Sequence, residues 1–280
     1  MKTIIQKVLV EENHSFACRT YETPQFETNW HKHEEYEIIV ITEGFGTIML
    51  GDYIGEYNEG DVFYIASNLP HWFRKNNSKM KGIAVVAQFR IDIFGISFLN
   101  SPELRTIKNL IVKDKGFRLT NKTKKTIGNR LINLEHTKGY KRMEILLDIL
   151  YQISITKDYD ICSTNFESNT KNLNPAIEKI IDYSFKHYLE QIVLKEVADI
   201  AEMSIPTFCR FFKKNIKKTY FEFLQELRIN HACKLLKEEY KPIIEICYES
   251  GYNSWAHFSK QFKQITKRTP SAYRKEFAEE

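Results

Sequence analysis

VADIAEMSIPTFCRFFKK, residues 197–214, is followed further along the chain by ICYESGYNSWAHFSKQFK, residues 246–263, and the two stretches share one pattern. They align at an offset of 49 before the turn and of 50 after it, as Phe208 and Phe258 show, so the second turn is one residue longer. Apolar and basic positions that return in register indicate one supersecondary unit that is built twice. This repeat decides the fold of the C-terminal part of the chain.

Each stretch predicts a short helix, a tight turn and a second helix, which is the pattern of a helix-turn-helix motif. The predicted first helices are Leu194–Ala201 and Ile243–Ser250, the second helices are Ile205–Lys214 and Ser254–Gln264, and the polar N-caps are Ser204 and Asn253. Gly251 supplies the turn of the second copy with a residue that reaches positive φ. The region from 175 to 280 is therefore expected to be an all-α domain with two helix-turn-helix motifs.

The second helix of each copy turns its phenylalanines inward and a polar, basic face outward. The predicted DNA-contacting residues are Ser204, Pro206, Thr207, Arg210, Lys213 and Lys214 in the first copy, and Asn253, Ser254, Trp255, His257, Lys260 and Lys263 in the second. Lys and Arg neutralise phosphates, and Arg also hydrogen-bonds guanine in the major groove. A basic face that merely contacts solvent is the alternative, but two copies in register favour double-stranded DNA as the partner.

The helix between the motifs is expected over Tyr220–Lys237, and 18 residues of helix extend about 27 Å. That length would set the two outward helices near one turn of DNA, about 34 Å, apart.

At this point the C-terminal sequence resembles the AraC family of transcription regulators over about Pro175 to Phe277. The matching motifs are VADIAEMS from Val197, LRI from Leu227, ACKLL from Ala232, GY at Gly251, HFSKQF from His257 and TPSAYR from Thr269. The resemblance implies that the Ile205–Lys214 helix makes the main base contacts, while the Ser254–Gln264 helix contributes weaker or backbone contacts. It also favours an activator, for which RNA polymerase would be a partner. A homodimer is expected on a different ground, because the predicted helix Arg142–Ile155 has apolar residues on more than one face. The family usually has Gly where Lys217 and Lys267 follow the second helices, which puts the geometry of these helix ends in question.

The N-terminal half predicts a different architecture. Short β-branched and aromatic runs over Tyr36–Ile41, Thr47–Leu50, Asp61–Ile65 and Ile83–Phe89 are separated by Gly, Asn and Asp, which is typical of a small barrel. Helical periodicity follows, and a polar stretch then precedes the repeat. The expected fold class is α+β, with a barrel over 1–100, a helical dimerisation or packing segment over 101–157, a linker over 158–174 and the DNA-binding domain over 175–280.

Histidines in the predicted barrel follow a second family pattern. His31-Lys-His33 with Glu37, then Gly60-Asp61 and Pro70-His71, resembles the two sequence motifs of the cupin barrel. The resemblance implies that the histidines and the glutamate meet inside the barrel, where metal cupins bind one divalent ion. Alternation along strands leaves three roles open, which are metal binding, effector contact and structural hydrogen bonding.

Effector contact is the role that we assign to this group. The predicted effector-binding residues are His31, His33, Glu37, His71 and Trp72, the four that could bind a metal are His31, His33, Glu37 and His71, and no cofactor is assigned.

Charge, cysteine content and apolar runs narrow the classes of protein and the compartments that fit this chain. The net charge of +5 is too small to establish a nucleic-acid partner by itself. The five cysteines lack C-x-x-C spacing and are odd in number, which favours a reducing compartment. Neither a secretory signal nor an apolar run of membrane-spanning length is found, so we expect a cytoplasmic protein without a membrane partner.

The leading hypothesis is a sequence-specific transcription regulator, more an activator than a repressor, that responds to a small-molecule effector, sugar-like by family habit, in its barrel. It is not expected to be an enzyme. One alternative is a metal-dependent cupin enzyme with an appended DNA-binding domain, and another is a DNA-binding scaffold whose barrel serves only in dimerisation.

Overall fold

A computed structural model describes residues 8–24, 26–28, 30–75, 80–112, 115–163, 175–238 and 241–278. The chain divides into an N-terminal domain over Lys2–Leu173 and a C-terminal domain over Asn174–Glu280. No helix among these residues combines the length and the apolar character that a membrane span requires.

The N-terminal domain is built on two antiparallel sheets. Its strands are β1 Ala17–Glu22, β2 Tyr36–Glu43, β3 Gly46–Leu50, β4 Tyr53–Tyr57, β5 Val62–Ile65, β6 His71–Lys75, β7 Ile83–Phe89, β8 Gly116–Leu119 and β9 Tyr159–Ser163. The larger sheet has the order β1-β7-β2-β5-β8-β9 and the smaller one the order β4-β3-β6. The strands that the sequence predicted are thus confirmed, as is the cupin-like sheet region.

Register in these sheets places two polar residues opposite each other in the core. On β2, Glu37 pairs with Gln88 of β7 on one side and with Ile65 of β5 on the other. An isolated bridge joins His31 to His71 at the start of β6. Hydrogen bonds across strands therefore bring residues together that lie far apart in the sequence.

Four α-helices follow β7 and pack mainly among themselves and on the larger sheet. They are α1 Ile96–Leu99, α2 Arg105–Ile111, α3 Asn121–His136 and α4 Gly139–Ile155, with short 3₁₀ helices at Ile91–Phe94 and Pro102–Leu104. Buried Leu131 and Leu150 of this layer belong to the same hydrophobic core as the strands. Packing within the chain therefore accounts for the buried face of the predicted helical segment.

Two of the expected boundaries are wrong. The segment 101–157 contains β8 as well as helices, and the predicted linker over 158–174 begins as a strand, because Tyr159–Ser163 is β9 and pairs with β8. The polar character of β9 comes from its place at the sheet edge, where one side of the strand has no partner. The rest of that linker, 164–174, lies outside the described residues.

The C-terminal domain is entirely helical in its described part. Its helices are α5 Pro175–His187, α6 Leu194–Ile200, α7 Ile205–Ile216, α8 Tyr220–Glu238, α9 Ile243–Glu249, α10 Trp255–Thr266 and α11 Pro270–Ala278. Both predicted motifs are present, as α6–α7 and α9–α10. One detail differs, since the N-cap of α10 is Ser254 rather than Asn253, and its hydroxyl accepts a hydrogen bond from the His257 amide at 3.4 Å.

Matching aromatic side chains form the core of each motif. Phe208 and Phe212 are fully buried and pack edge-on against Tyr220, which begins α8. Phe258 and Phe262 occupy the same places in the second motif. Because these rings fix the inner face of α7 and α10, the polar residues between them must face outward.

Candidate functional site

The turns of the two motifs have the same backbone geometry although their residues differ. Glu202 has φ 56° and Gly251 has φ 79°, so both lie in the left-handed region. After each turn an amide donates back to the first helix, from Met203 to Ala198 and from Tyr252 to Cys247. The first motif therefore forms its turn with a glutamate in a conformation that favours glycine.

The ends of the outward helices also keep the glycine-type geometry without glycine. Lys217 and Lys267 follow α7 and α10 with φ of 64° and 62°, and each is a left-handed C-cap. The departure from the family pattern that the sequence analysis noted thus leaves the path of the helix ends intact.

All of the predicted DNA-contacting residues lie on the exposed surface of the two motifs. Arg210, Lys213 and Lys214 lie on α7, and Lys260 and Lys263 lie on α10, and no described carboxylate forms an ion pair with any of them. Other lysines of the domain form ion pairs, such as Lys218 with Glu226 at 2.6 Å and Lys241 with Glu249 at 3.0 Å.

This unpaired positive charge is what phosphates would neutralise. The α8 helix, which contacts both motifs, is 19 residues long and extends about 28 Å. Both outward helices thus belong to one compact domain. Which of their side chains contact bases stays a prediction.

The barrel brings the predicted histidine and glutamate group together. His31 and His71 are paired through their backbones, and the two imidazole rings lie 4.3 Å apart between centroids. His33 and Glu37 are also buried, and the His33 Nε2 atom lies 3.1 Å from a carboxylate oxygen of Glu37. The pairing of β2 with β7 places Gln88 beside Glu37, and the side-chain amide of Gln88 donates to the same carboxylate oxygen at 2.8 Å.

Hydrogen bonds to backbone carbonyls orient two of these imidazoles. His33 donates from Nδ1 to the Glu35 carbonyl at 3.0 Å, and its Nε2 lies 3.1 Å from the Glu37 carboxylate and 3.4 Å from the Gln88 amide nitrogen. His71 donates from Nδ1 to the Leu69 carbonyl at 2.9 Å. Its buried Nε2 has no hydrogen-bond partner among the described residues and lies 3.8 Å from a carboxylate oxygen of Glu37.

The pKa values follow from the same contacts. Burial acts to lower the pKa of His33, but the hydrogen bond and the charge of Glu37 outweigh it and raise the pKa above its usual value. Burial lowers the pKa of His71, and Glu37 offsets this only in part. For Glu37, burial acts to raise the pKa, but His71 and His33 lower it to about 2. These shifts favour the carboxylate form of Glu37, the protonated form of His33 and the neutral form of His71.

A metal ion would find suitable ligands here. Nitrogen atoms of His31, His33 and His71 all lie within 4.8 Å of one another, and all three residues are buried. The hydrogen bond from His71 Nδ1 to a carbonyl fixes the ring with Nε2 toward the site, as outer contacts of metal-binding histidines do. Imidazole and carboxylate ligands suit Fe, Mn, Ni or Zn, so the residues fit such an ion.

A small cavity of about 40 Å³ adjoins this group. Its walls include His31, His71 and Glu37, and also residues that the sequence analysis did not name, which are Tyr21, Phe26, Thr28, Ile39, Phe73, Val86 and Gln88. Gln88 had a signal, since it is a polar residue inside the apolar strand β7. Residues such as Phe26 and Thr28 had none, because only the folded chain brings them to the wall.

Trp72, which the sequence assigned to the effector site, lies outside this cavity, and its contact with an effector stays a prediction. Trp72 lies between His71 and Phe73 on β6, and alternation along a strand turns it to the opposite face from these two wall residues. It is buried there with the guanidinium of Arg74 over its ring. His33 does not line the cavity either, but it is hydrogen-bonded to Glu37, which does.

Comparisons with known proteins agree with both halves of this description. A helix-turn-helix domain family matches residues 197–276, and a cupin domain family matches residues 20–87. YdeC of Bacillus subtilis, an uncharacterised helix-turn-helix transcriptional regulator, is 23% identical over 260 residues, or 88% of this chain and 85% of that protein. The transcriptional activator RhaR of Mannheimia succiniciproducens is 23% identical over 254 residues, or 88% of this chain and 87% of that protein.

Among solved structures, the C-terminal domain of AraT, a response regulator from Geobacillus stearothermophilus, aligns at 28% identity with a TM-score of 0.35. That alignment covers 37% of this chain and 86% of the other.

The paired motifs and the family match define the C-terminal domain as a DNA-binding domain of the helix-turn-helix class. Its relatives are named as transcriptional regulators rather than enzymes. The chain is accordingly a transcriptional regulator with an AraC-type helix-turn-helix domain and an N-terminal cupin domain.

Proposed function

We propose that this regulator binds a specific operator through α7 and α10, acts as an activator in the cytoplasm, and responds to a small molecule in its barrel rather than catalysing a reaction. The observation that carries the proposal is the unpaired basic surface that both motifs present on equivalent helices. The activator role rests on the likeness to RhaR, and RNA polymerase would then be a partner.

The operator can be found by selecting bound sequences from random duplex DNA at near-physiological salt, which suppresses non-specific phosphate attraction. We expect a motif with two blocks about one helical turn, 34 Å, apart. Arg210→Ala should then weaken operator binding by about 1–3 kcal/mol, the value of one specific base contact. Lys195→Ala is the matched control, since Lys195 lies on α6 and pairs with Asp199 at 3.0 Å. Unchanged affinity in Arg210→Ala would contradict the assignment of α7.

The proposed effector site is the barrel cavity of about 40 Å³. Pockets that enclose organic ligands usually measure about 300–1,000 Å³, far more than the barrel cavity, so a sugar-like effector requires its walls to move apart. A thermal-shift screen of the full-length protein, with Glu37→Gln as the variant that should lose the response, tests the barrel. If no compound stabilises the protein, the barrel would be a scaffold.

A homodimer is supported by apolar side chains on the outer face of α4. Tyr140, Tyr151 and Ile155 are 81%, 43% and 47% exposed. Residues at such helical spacings share one face, and a second copy would cover them. Sedimentation should detect a dimer that Tyr151→Glu dissociates, while Lys141→Glu, at an exposed position of the same helix, should leave it intact.

A metal ion is the second candidate for the barrel ligand. The free, buried Nε2 of His71 beside the other imidazoles favours it. One equivalent of metal in the purified full-length protein is expected, lost in His71→Ala and kept in His136→Ala, a variant at an exposed site. Elemental analysis measures this directly, and sub-stoichiometric metal in every preparation would count against the ion.

A further inference from the structure

A cavity of about 240 Å³ lies inside the C-terminal domain, beside the turn of the second helix-turn-helix motif. The segment before α6 forms one wall, α8 forms the second, and the turn before α10 forms the third. The cavity is large enough for several waters or for a small organic anion. Its walls therefore join the second motif to α8 and to the segment that leads into the first motif.

Arg228 is the charged residue of this cavity. Its Nε donates to the Tyr188 carbonyl and its Nη2 to the Glu190 carbonyl, both at 2.7 Å. The Glu190 carboxylate contacts His187 instead, and no described carboxylate forms an ion pair with Arg228. Since a guanidinium has five N–H donors, the two carbonyls leave donors and the full positive charge unmatched.

The other polar groups of the cavity also lack an acidic member. Tyr252 is buried, and its hydroxyl has no hydrogen-bond partner. Gln225, Asn253 and His257 complete the polar lining, and none of the described residues that line the cavity is Asp or Glu. A partly buried cation among neutral polar groups is complementary to an anion.

We propose that this cavity binds a small oxyanion, with Arg228 as its charge partner and Tyr252 and the neighbouring amides as further donors. The shared chemistry is a carboxylate or phosphate group, which either a free small molecule or a phosphate of the DNA backbone can supply. Because the wall includes Asn253 at the start of α10, occupancy would tie α8 to the outward helix of the second motif. An anion held there would favour one placement of α10 over others.

Gln225→Glu is the variant that tests the site. Gln225 lies one turn before Arg228 on α8. A glutamate at this position would form an ion pair with the Arg228 guanidinium and so compete with a bound anion. Asn129→Asp makes the same change from amide to carboxylate at an exposed position of α3, in the N-terminal domain, and is the control. Binding of inorganic phosphate and of benzoate to the full-length protein is measured by calorimetry, without DNA. In parallel, the salt dependence of binding to a random-sequence duplex is measured for both variants.

A free anion as the ligand predicts that wild type and Asn129→Asp bind one of the probes, while Gln225→Glu binds it at least tenfold more weakly. A backbone phosphate as the ligand predicts no probe binding but a salt slope that is lower by about 0.9 in Gln225→Glu alone. If neither effect is found, the proposal is overturned. Should Gln225→Glu fail to fold, Tyr252→Phe replaces it, since that variant keeps the ring and removes only the hydroxyl. Neither arm uses the barrel or the operator, so failure here is distinct from failure of the proposed function.

Discussion

Replacing Gly251 by alanine should destabilise the second motif through two separate effects. The residue has φ 79°, and a Cβ added there would lie 2.9 Å from the Leu189 carbonyl oxygen and 3.0 Å from Arg228 Nε. The left-handed backbone costs an L-residue about 1–2 kcal/mol. Forcing an extra carbon against packed backbone typically adds about 1–3 kcal/mol. We expect a loss of about 2–4 kcal/mol for Gly251→Ala, since the smaller unfolded-state entropy of alanine offsets part of the sum.

Gly60→Ala provides the control for the backbone effect. Gly60 has φ 80°, and its added Cβ would meet nothing within 4 Å. That variant should lose only about 1 kcal/mol, because the conformational cost is the same and the clash is absent.

Native-state hydrogen exchange on the full-length protein measures each change, since it reports the opening free energy of each domain separately. Equal losses in the two variants would refute the steric part of the reasoning. A larger loss at Gly251 should be accompanied by weaker DNA binding, because the turn sets the start of α10.

Three further changes have expected outcomes. Glu202→Gly removes the strain of a non-glycine residue at φ 56° and should raise the opening free energy of the C-terminal domain by about 0.5–1 kcal/mol in the same exchange experiment. A lower opening free energy would mean that the glutamate side chain stabilises the turn by more than its backbone strain costs. Asp61→Asn removes the charge of a buried carboxylate that pairs with the half-buried Arg118 and Lys124, and it should cost about 1–3 kcal/mol in urea unfolding. Glu144→Gln, in an exposed pair, should change less than about 1 kcal/mol. Lys260→Ala should lower the slope of log affinity for DNA against log salt concentration by about one. Lys195→Ala is the control, and an equal slope in the two variants would mean that Lys260 does not contact a phosphate.

The C-terminal domain was predictable because its determinants are local. Helical spacing of Phe208 and Phe212, polar caps and the repeat itself are all readable within short windows, and each motif buries its own aromatic core. The helix bounds agree to within one or two residues, except that the sequence placed the N-cap of α10 at Asn253 instead of Ser254. The left-handed lysines after α7 and α10 were not predictable, because tertiary packing holds a backbone that the residue type disfavours.

The barrel was predictable in its strands and less so in its site. The resemblance to the cupin motifs implied that His31, His33, Glu37 and His71 meet inside the barrel, and the structure buries them together. Trp72 was assigned to the same site by proximity in sequence, and alternation along β6 turns it away. Gln88 entered the site only through the pairing of β7 with β2, which no local pattern specifies.

The sequence by itself determined the two domains, the paired helix-turn-helix motifs, the strands of the barrel and the residue types that meet inside it, because these depend on periodicity and spacing over short windows. Only the tertiary structure decided that β9 completes the sheet and that Arg228 and Tyr252 line a cavity beside the second motif, with no acidic residue among the described lining. It also decided that the buried Nε2 of His71 has no hydrogen bond within the described part of the chain. The physical reason is that strand register, burial and hydrogen-bond satisfaction depend on residues distant in the chain, which come into contact only when the core has packed.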